Sequence, residues 1–316
     1  MSDHVKQLLD LVENSISFDG TTVRVLDAAK FRKNVGKLVE RSALASDSSA
    51  GLARFLVRAA ALELGVYAAS IHDLYMARGR GDAPMTWSTP AFNLRALSHH
   101  AARAMFRAAN KINAGAFIFE LARSEMNYTD QRPSEYATNI LGAAVAEGYT
   151  GPVFIQGDHF QVSAKKYKAD AAAELKAVRD LSIEAMAAGF FNIDVDTSTL
   201  VDISLPTVQE QQTLNSKLSA ELSAFIRENE PAGVTISIGG EIGEVGTENS
   251  TEPELRAYMD AYNANLQKLA PGKPGLSKIS VLTGTSHGGT VLPDGSIAEV
   301  SIAFDVLRDL SRVARK

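Results

Sequence analysis

The chain has 316 residues, of which 45% are hydrophobic and 22% are charged, and its formal net charge is −5. This acidic balance argues against a nucleic-acid binder, because binding to the phosphate backbone requires a dense basic surface. The sequence has no cysteine, which excludes disulfides, thiol catalysis and thiolate-bound metals, and it has no run of apolar residues long enough for a membrane span, so we expect a cytoplasmic protein.

Residues 1–85 are predicted to form a helical N-terminal extension. Two segments, "AKFRKNVGKLVERSALA" and "LARFLVRAAALELGVYAAS", place apolar residues at a spacing of three to four, and the polar stretch "SDSSAG" separates them. The turn-forming segment "ARGRGDAP" (77–84) marks the predicted boundary with a second domain, which covers residues 86–316.

Six short apolar runs follow, and an amphipathic helical segment comes after each of them. The runs are "TPAFN" (89–93), "AFIFELA" (116–122), "PVFIQGD" (152–158), "FNIDVDT" (191–197), "VTISIGGE" (234–241) and "ISVLTG" (279–284). This alternation predicts an α/β fold with a parallel sheet. The first run lacks the Gly-rich fingerprint of an open dinucleotide-binding sheet, and polar residues follow almost every run. We therefore predict a (β/α)8 TIM-type barrel in which only about six strand–helix units are evident.

Two histidines, His159 and His287, directly follow strand patterns and are candidate metal ligands. The other four are expected to be solvated or packed in helices: His4, His72, His99 and His100. Imidazole suits zinc and similar divalent ions, and a catalytic site has about three protein ligands with one open position. Glu241, at the end of the fifth run, is the candidate third ligand, and a structural role is the alternative for each strand-end histidine.

Several carboxylates also lie at strand ends. Asp158 directly precedes His159 and is a candidate general acid or base, with loop capping as the alternative. Asp194 and Asp196 share strand parity, so both are expected to face the barrel interior, where a buried polar network is the alternative role. The segment "GGEIGEVGTENS" (239–250) combines four Gly with three Glu and is either a catalytic loop or a solvated acidic loop.

Taken together, these residues resemble the class II (metal-dependent) fructose-bisphosphate aldolase superfamily, which includes tagatose-bisphosphate aldolases. The matching motifs stand in the family's order: "PAFN" (90–93), "GDH" (157–159), "VDTS" (195–198), "EIGEVGTEN" (241–249) and "TSHGG" (285–289). The resemblance implies Zn²⁺, or another divalent metal, bound by His159, His287 and Glu241. It also implies cleavage of fructose- or tagatose-1,6-bisphosphate to dihydroxyacetone phosphate and glyceraldehyde 3-phosphate through a zinc-stabilised enediolate.

The resemblance further implies roles for individual residues. Asp158 is similar to the acid/base at the C4 hydroxyl, and Glu248, with Glu244 as the alternative, to the loop glutamate that moves the proton of the hydroxyketone. The residues implied to contact substrate are Asn93, Asp196 and Gly288. None of the six runs contains a Lys, which argues against the Schiff-base route of class I aldolases.

The sequence also departs from the family pattern. The seventh strand, with the third zinc histidine and the phosphate-binding amides, and the eighth strand are expected beyond Lys316, as in a truncated chain. Two alternative functions stay open: a non-catalytic barrel subunit of an aldolase complex, and another metal-dependent sugar-phosphate enzyme such as an isomerase or hydrolase. The expected partners are a sugar bisphosphate and further copies of the chain in a homo-oligomer, with no nucleic acid and no membrane.

Overall fold

The computed structural model describes residues 3–243, 249–284, 292–296 and 301–314. Its elements in chain order are α1 (Asp3–Leu11), β1 (Ile16–Phe18), β2 (Val23–Val25), α2 (Ala28–Leu44), α3 (Ser49–Glu63), β3 (Val66–Ala69), α4 (His72–Arg80), β4 (Ala91–Asn93), α5 (Ser98–Ile112), β5 (Ile118–Ala122), α6 (Arg123–Thr129), α7 (Pro133–Ala146), β6 (Gly151–Gln161), α8 (Ala164–Ala169), α9 (Ala171–Ala188), β7 (Asn192–Asp196), α10 (Val208–Asn229), β8 (Ser237–Glu241), α11 (Glu252–Leu269), β9 (Lys278–Ser280) and α12 (Phe304–Ala314). The fold is α/β, as predicted. Within those ranges, no helix is long and apolar enough to cross a membrane.

The chain forms two compact units. The first comprises Met1–Ser70, Trp87–Asp158 and Glu184–Asn192, and the second comprises Ile71–Thr86, His159–Ile183 and Ile193–Lys316. The first unit therefore combines most of the predicted N-terminal extension with the first predicted strand–helix units.

In the first unit, parallel strands form the sheet. Strand β5 pairs with β4 on one side and with β6 on the other, and β3 pairs with the opposite edge of β6. Phe154 marks the shared register, since it lies opposite Ile118 of β5 and Ala69 of β3. Every residue of β5 is buried, which explains its unbroken apolar sequence except at Glu120.

Strand β3 lies inside the region predicted to be helical. Helix α3 ends because Gly65, with φ of 77°, adopts the left-handed conformation that commonly follows a helix. Val66 to Ala69 then pair with residues 151–154 of β6 instead of continuing the helix. The partner strand is distant in sequence, so the helical spacing of apolar residues could not reveal this pairing.

In the second unit, β8 lies between β7 and β9. Strands β8 and β9 are parallel, with Gly239 opposite Lys278 and Glu241 opposite Ser280. One face of these strands packs on helices, in an apolar cluster comprising Ala220, Ile242, Leu255, Tyr258, Tyr262, Leu266 and Leu310. Because side chains alternate along a strand, Asp196 and Glu241 point to the other face.

Each of the six predicted runs overlaps a strand, β4 to β9, but two strands differ from the prediction. Strand β6 extends to Gln161, so Asp158 and His159 lie within it and do not follow it. Strand β9 begins at Lys278, just before the sixth run, so one strand contains a Lys although none of the six runs does. A capping interaction begins α11, since the Glu254 carboxylate accepts hydrogen bonds from the backbone N–H and the hydroxyl of Thr251 at 2.7 and 2.8 Å.

Candidate functional site

Three side chains of the second unit converge at strand ends. His159 lies near the carboxyl end of β6, Asp196 ends β7 and Glu241 ends β8. The His159 Nδ1 atom is 3.0 Å from Asp196 Oδ2 and 3.2 Å from Glu241 Oε2. The backbone of His159 has φ of 41°, which a residue other than glycine rarely adopts. Such strain is frequent at functional sites.

Asp196 is the most constrained member of this group. It is 1% exposed, and its Oδ2 accepts a hydrogen bond from Gln161 Nε2 at 2.7 Å. Its Oδ1 accepts hydrogen bonds from the Ser198 hydroxyl at 2.7 Å and the Ser198 backbone N–H at 3.0 Å. Burial raises the pKa of Asp196, but the hydrogen bonds from His159, Ser198 and Gln161 outweigh it and hold that pKa below its usual value. The carboxylate is therefore ionised at neutral pH.

The three groups fit a divalent cation. One donor atom from each of His159, Asp196 and Glu241 lies within 4.8 Å of the other two. Donors bound tetrahedrally to zinc at about 2.0–2.2 Å lie roughly 3.3 Å apart, close to the two distances from His159 Nδ1. Nδ1 of His159 carries at most one proton, so it can donate to only one of the two carboxylate oxygens that it faces. A cation shared by the three side chains would attract all three donor atoms. One imidazole with two carboxylates suits zinc and similar first-row metals.

The structure brings together two of the three predicted metal ligands, His159 and Glu241, and adds Asp196, which was predicted to contact substrate. The remaining predicted ligand, His287, lies outside the described residues. The same holds for Gly288, for Glu248 and for its alternative, Glu244. The strand parity and strand-end position of Asp196 were the signals for its place in this group.

A second polar group, in the first unit, surrounds Asp158. Asn93 ends β4, and its Nδ2 donates hydrogen bonds to Asp158 Oδ2 at 2.8 Å and to Glu125 Oε2 at 3.1 Å. Glu125 is buried in the first turn of α6, where its carboxylate also accepts hydrogen bonds from Arg95 Nε and from the backbone N–H of Ala122. Asn93 therefore links the predicted acid/base to a fixed carboxylate.

Neither Glu125 nor Glu120 was predicted as a site residue. Glu120, on β5, accepts a hydrogen bond from Gln156 Nε2 at 2.5 Å, and its backbone carbonyl accepts one from the Tyr136 hydroxyl at 2.8 Å. Burial raises the pKa of Tyr136 well above its usual value, so the phenol stays protonated as a donor. The sequence contained two signals that could have identified them: one glutamate lies within a buried strand, and the other lies in the helical turn that follows it.

Asp194 lies two residues before Asp196 on β7 and forms an ion pair. The Lys278 Nζ atom is 2.5 Å from Asp194 Oδ1, and both side chains are about one quarter exposed. The Lys278 side chain is thus held by a carboxylate of the second unit.

No protein-family profile and no curated protein matches this sequence. Among solved structures, the chain is similar to the crystal structure of a probable tagatose 6 phosphate kinase from Sinorhizobium meliloti 1021, with a TM-score of 0.54 and 16% sequence identity. The likeness covers 72% of this chain and 55% of that one, so the chain spans about half the length of that protein. At this identity the likeness shows a shared fold alone.

Proposed function

We propose that this chain is a divalent-metal-dependent aldolase that cleaves fructose- or tagatose-1,6-bisphosphate to dihydroxyacetone phosphate and glyceraldehyde 3-phosphate. The observation that carries the proposal is the convergence of His159, Asp196 and Glu241 at strand ends. These residues belong to three of the five motifs that resemble the class II aldolase superfamily. A (β/α)8 barrel and a cytoplasmic homo-oligomer are parts of the same proposal.

His159, Asp196 and Glu241 would hold the cation, whose chemistry is Lewis-acid stabilisation of the enediolate that remains after carbon–carbon cleavage. Asp196 is already held in position, since its carboxylate accepts hydrogen bonds from Gln161 and Ser198. His159 and Glu241 keep 37% and 20% of their side-chain surfaces exposed, which leaves access for a substrate.

Cleavage beside a ketone requires a base that removes the proton of the C4 hydroxyl. Asp158 directly precedes His159 in the chain, and the resemblance assigns this role to it. The Asn93 amide donates to Asp158 Oδ2 at 2.8 Å, which fixes the carboxylate orientation, and Glu125 in turn fixes the amide. In the condensation direction, Asp158 returns the proton to the nascent hydroxyl. Reprotonation of the three-carbon fragment is assigned to Glu248 by the resemblance.

A second candidate function is a different enzymatic reaction on a sugar phosphate, carried out by the same fold. The observation that favours it is the fold shared with a protein described as a probable tagatose 6 phosphate kinase, which names a sugar phosphate but not an aldol reaction. A non-catalytic barrel subunit of an aldolase complex is the other alternative.

The test removes and restores the metal. Protein stripped with a chelator is expected to lose cleavage of the ketose bisphosphates and to regain it with Zn²⁺, at about one ion per chain. His159→Ala should bind no metal and show no cleavage, whereas His100→Ala, which alters an exposed histidine of α5, should retain both. Full cleavage by metal-free protein or by His159→Ala would overturn the proposal. Metal binding with turnover of another sugar phosphate alone would favour the second candidate.

A further inference from the structure

An open cleft of about 630 Å³ lies in the first unit. Helix α3 forms one wall, and the start of β3 and the segment before β7 form others. Its charged and aromatic lining residues are Arg54, Phe55, Arg58, Tyr67 and Phe191. The volume lies within the roughly 300–1,000 Å³ typical of small-molecule sites.

Arg58 is a half-buried cation in this cleft. Its Nη2 donates one hydrogen bond, at 3.3 Å, to the backbone carbonyl oxygen of Ala187. Within the part of the chain that the structure describes, no carboxylate forms an ion pair with Arg58. Burial lowers the pKa of the guanidinium, which nevertheless stays charged at neutral pH. A partly desolvated cation without a counterion is unfavourable, so an anion in the cleft would relieve that cost.

Arg54 adds a second cation one helical turn earlier on the same face of α3. Its Nη2 donates to the Ser42 carbonyl oxygen at 2.8 Å and lies 3.7 Å from Glu135 Oε2. Its Nε is buried and has no hydrogen-bond partner among the described residues. Burial raises the pKa of Glu135, and the charge of Arg54 opposes that rise. Arg54 thus has Glu135 as a counterion, and the cation of this wall that no described carboxylate pairs with is Arg58.

Gly189 shapes the cleft beside Arg58. Its φ is 93°, and a Cβ there would lie 3.0 Å from the Cβ of Ala68 and 3.6 Å from Arg58 Nη2. A side chain at this position would therefore press on Ala68 and come into van der Waals contact with the guanidinium. Phe55 and Tyr67 are 43% and 45% exposed, so their rings provide apolar surface within reach of a ligand.

We propose that this cleft binds a small organic anion, with its phosphate or carboxylate on Arg58 and its apolar or planar body against Phe55 and Tyr67. The site is separate from the carboxylate network of the same unit. Val66 to Ala68 form the amino-terminal part of β3, whereas Asn93 stands at the carboxyl end of β4 in the same parallel sheet. The inference does not depend on the proposed aldolase activity.

Calorimetric titration of the full chain with phenyl phosphate, benzoate and inorganic phosphate tests the proposal. We expect saturable binding of phenyl phosphate that is tighter than that of inorganic phosphate, and benzoate reports whether a carboxylate can replace the phosphate. Arg58→Met should weaken phenyl phosphate binding by roughly 10- to 100-fold, because a charge-assisted hydrogen-bonding group is lost. Arg24→Met removes the same charge from a 70% exposed side chain of the same unit and should leave the affinity unchanged.

Phe55→Ala is a second variant, and it should fold normally because this ring is substantially exposed. It should weaken binding of phenyl phosphate but not of inorganic phosphate. Equal weakening by Arg24→Met and Arg58→Met, or no saturable binding to the wild-type chain, would overturn the proposal. Sedimentation showing that Arg58→Met dissociates an oligomer, without any probe binding, would overturn it in favour of a contact with a second copy.

Discussion

Lys278 reaches Asp194 across Gly239, so that an ion pair joins β9 to β7 over the strand that lies between them. The Lys278 Nζ atom is 2.5 Å from Asp194 Oδ1. A Cβ on Gly239 would lie 2.2 Å from that Oδ1 and 3.0 Å from Lys278 Cε. Only glycine at position 239 therefore leaves room for the pair, which crosses β8, the strand that ends in Glu241, to reach β7, the strand that ends in Asp196.

Gly239→Ala is expected to destabilise the protein by about 1–3 kcal/mol, because the added methyl group displaces the ion pair in an occupied space. Urea unfolding at neutral pH measures the change. Gly79→Ala is the matched control, since a Cβ at this helical glycine of the same unit meets no atom within 4 Å. The control should be neutral or slightly more stable. Equal stabilities of the two variants would contradict the packing that Gly239 permits.

The ion pair itself is expected to show energetic coupling. Lys278→Met and Asp194→Asn should each destabilise the protein, and the double variant should lose less than the sum of the two single losses. A coupling free energy of about 1 kcal/mol is reasonable for a pair that is only one quarter exposed. A double-mutant cycle by chemical unfolding measures it, and strict additivity would show that the contact contributes nothing to stability.

His99 is expected to make stability depend on pH. It is buried, its Nδ1 lies 3.0 Å from the Asn139 carbonyl oxygen, and its Nε2 has no partner within the described residues. Burial lowers the pKa of His99, so the unfolded chain binds the proton more readily than the folded protein. The contribution of His99 to stability is thus complete above about pH 6.5 and is lost as the pH falls towards the folded-state pKa.

His99→Asn should remove this component while keeping a side-chain donor near Asn139. The free energy of unfolding of the variant, measured from pH 7.5 to 5, should fall less steeply than that of the wild-type protein. His100→Asn changes the adjacent exposed histidine and should reproduce the wild-type slope. A variant slope indistinguishable from that of the wild-type protein would show that His99 titrates normally.

Asp158→Asn tests the proposed acid/base directly. If the chain is the proposed aldolase, kcat should fall by roughly 10²–10⁴ because proton transfer is lost, while the bound metal remains. Asn93→Ala should lower kcat less, since it removes only the hydrogen bond that orients Asp158. Steady-state kinetics and metal content are measured together on each variant. Unchanged kcat in Asp158→Asn would transfer the proton-transfer role to another group.

Local sequence patterns were sufficient where the structure depends on neighbouring residues. The apolar runs located β4 to β9, because a buried strand needs consecutive apolar side chains whatever its partner is. The start of α11 is visible in the sequence at Thr251 and Glu254, because a helix cap involves residues only three positions apart. Strand-end position also singled out His159 and Glu241 as candidate ligands.

Contacts between distant residues were decided by the tertiary structure. Strand β3 exists because residues 66–69 find a partner in β6, whereas the same residues fit a helical pattern. The pairing of Asp196 with His159 joins residues 37 positions apart, and its geometry depends on strand register.

Composition showed that this chain is acidic and cysteine-free, and the alternation of apolar runs with helical segments predicted an α/β fold and the strands that carry the candidate residues. Only the tertiary structure decided that Lys278 pairs with Asp194. It also decided that Arg58 lines an open cleft and that no carboxylate among the described residues pairs with it. The physical reason is that charge pairing and cleft shape depend on side chains from separate elements. A pattern read along one element contains no information about their distances.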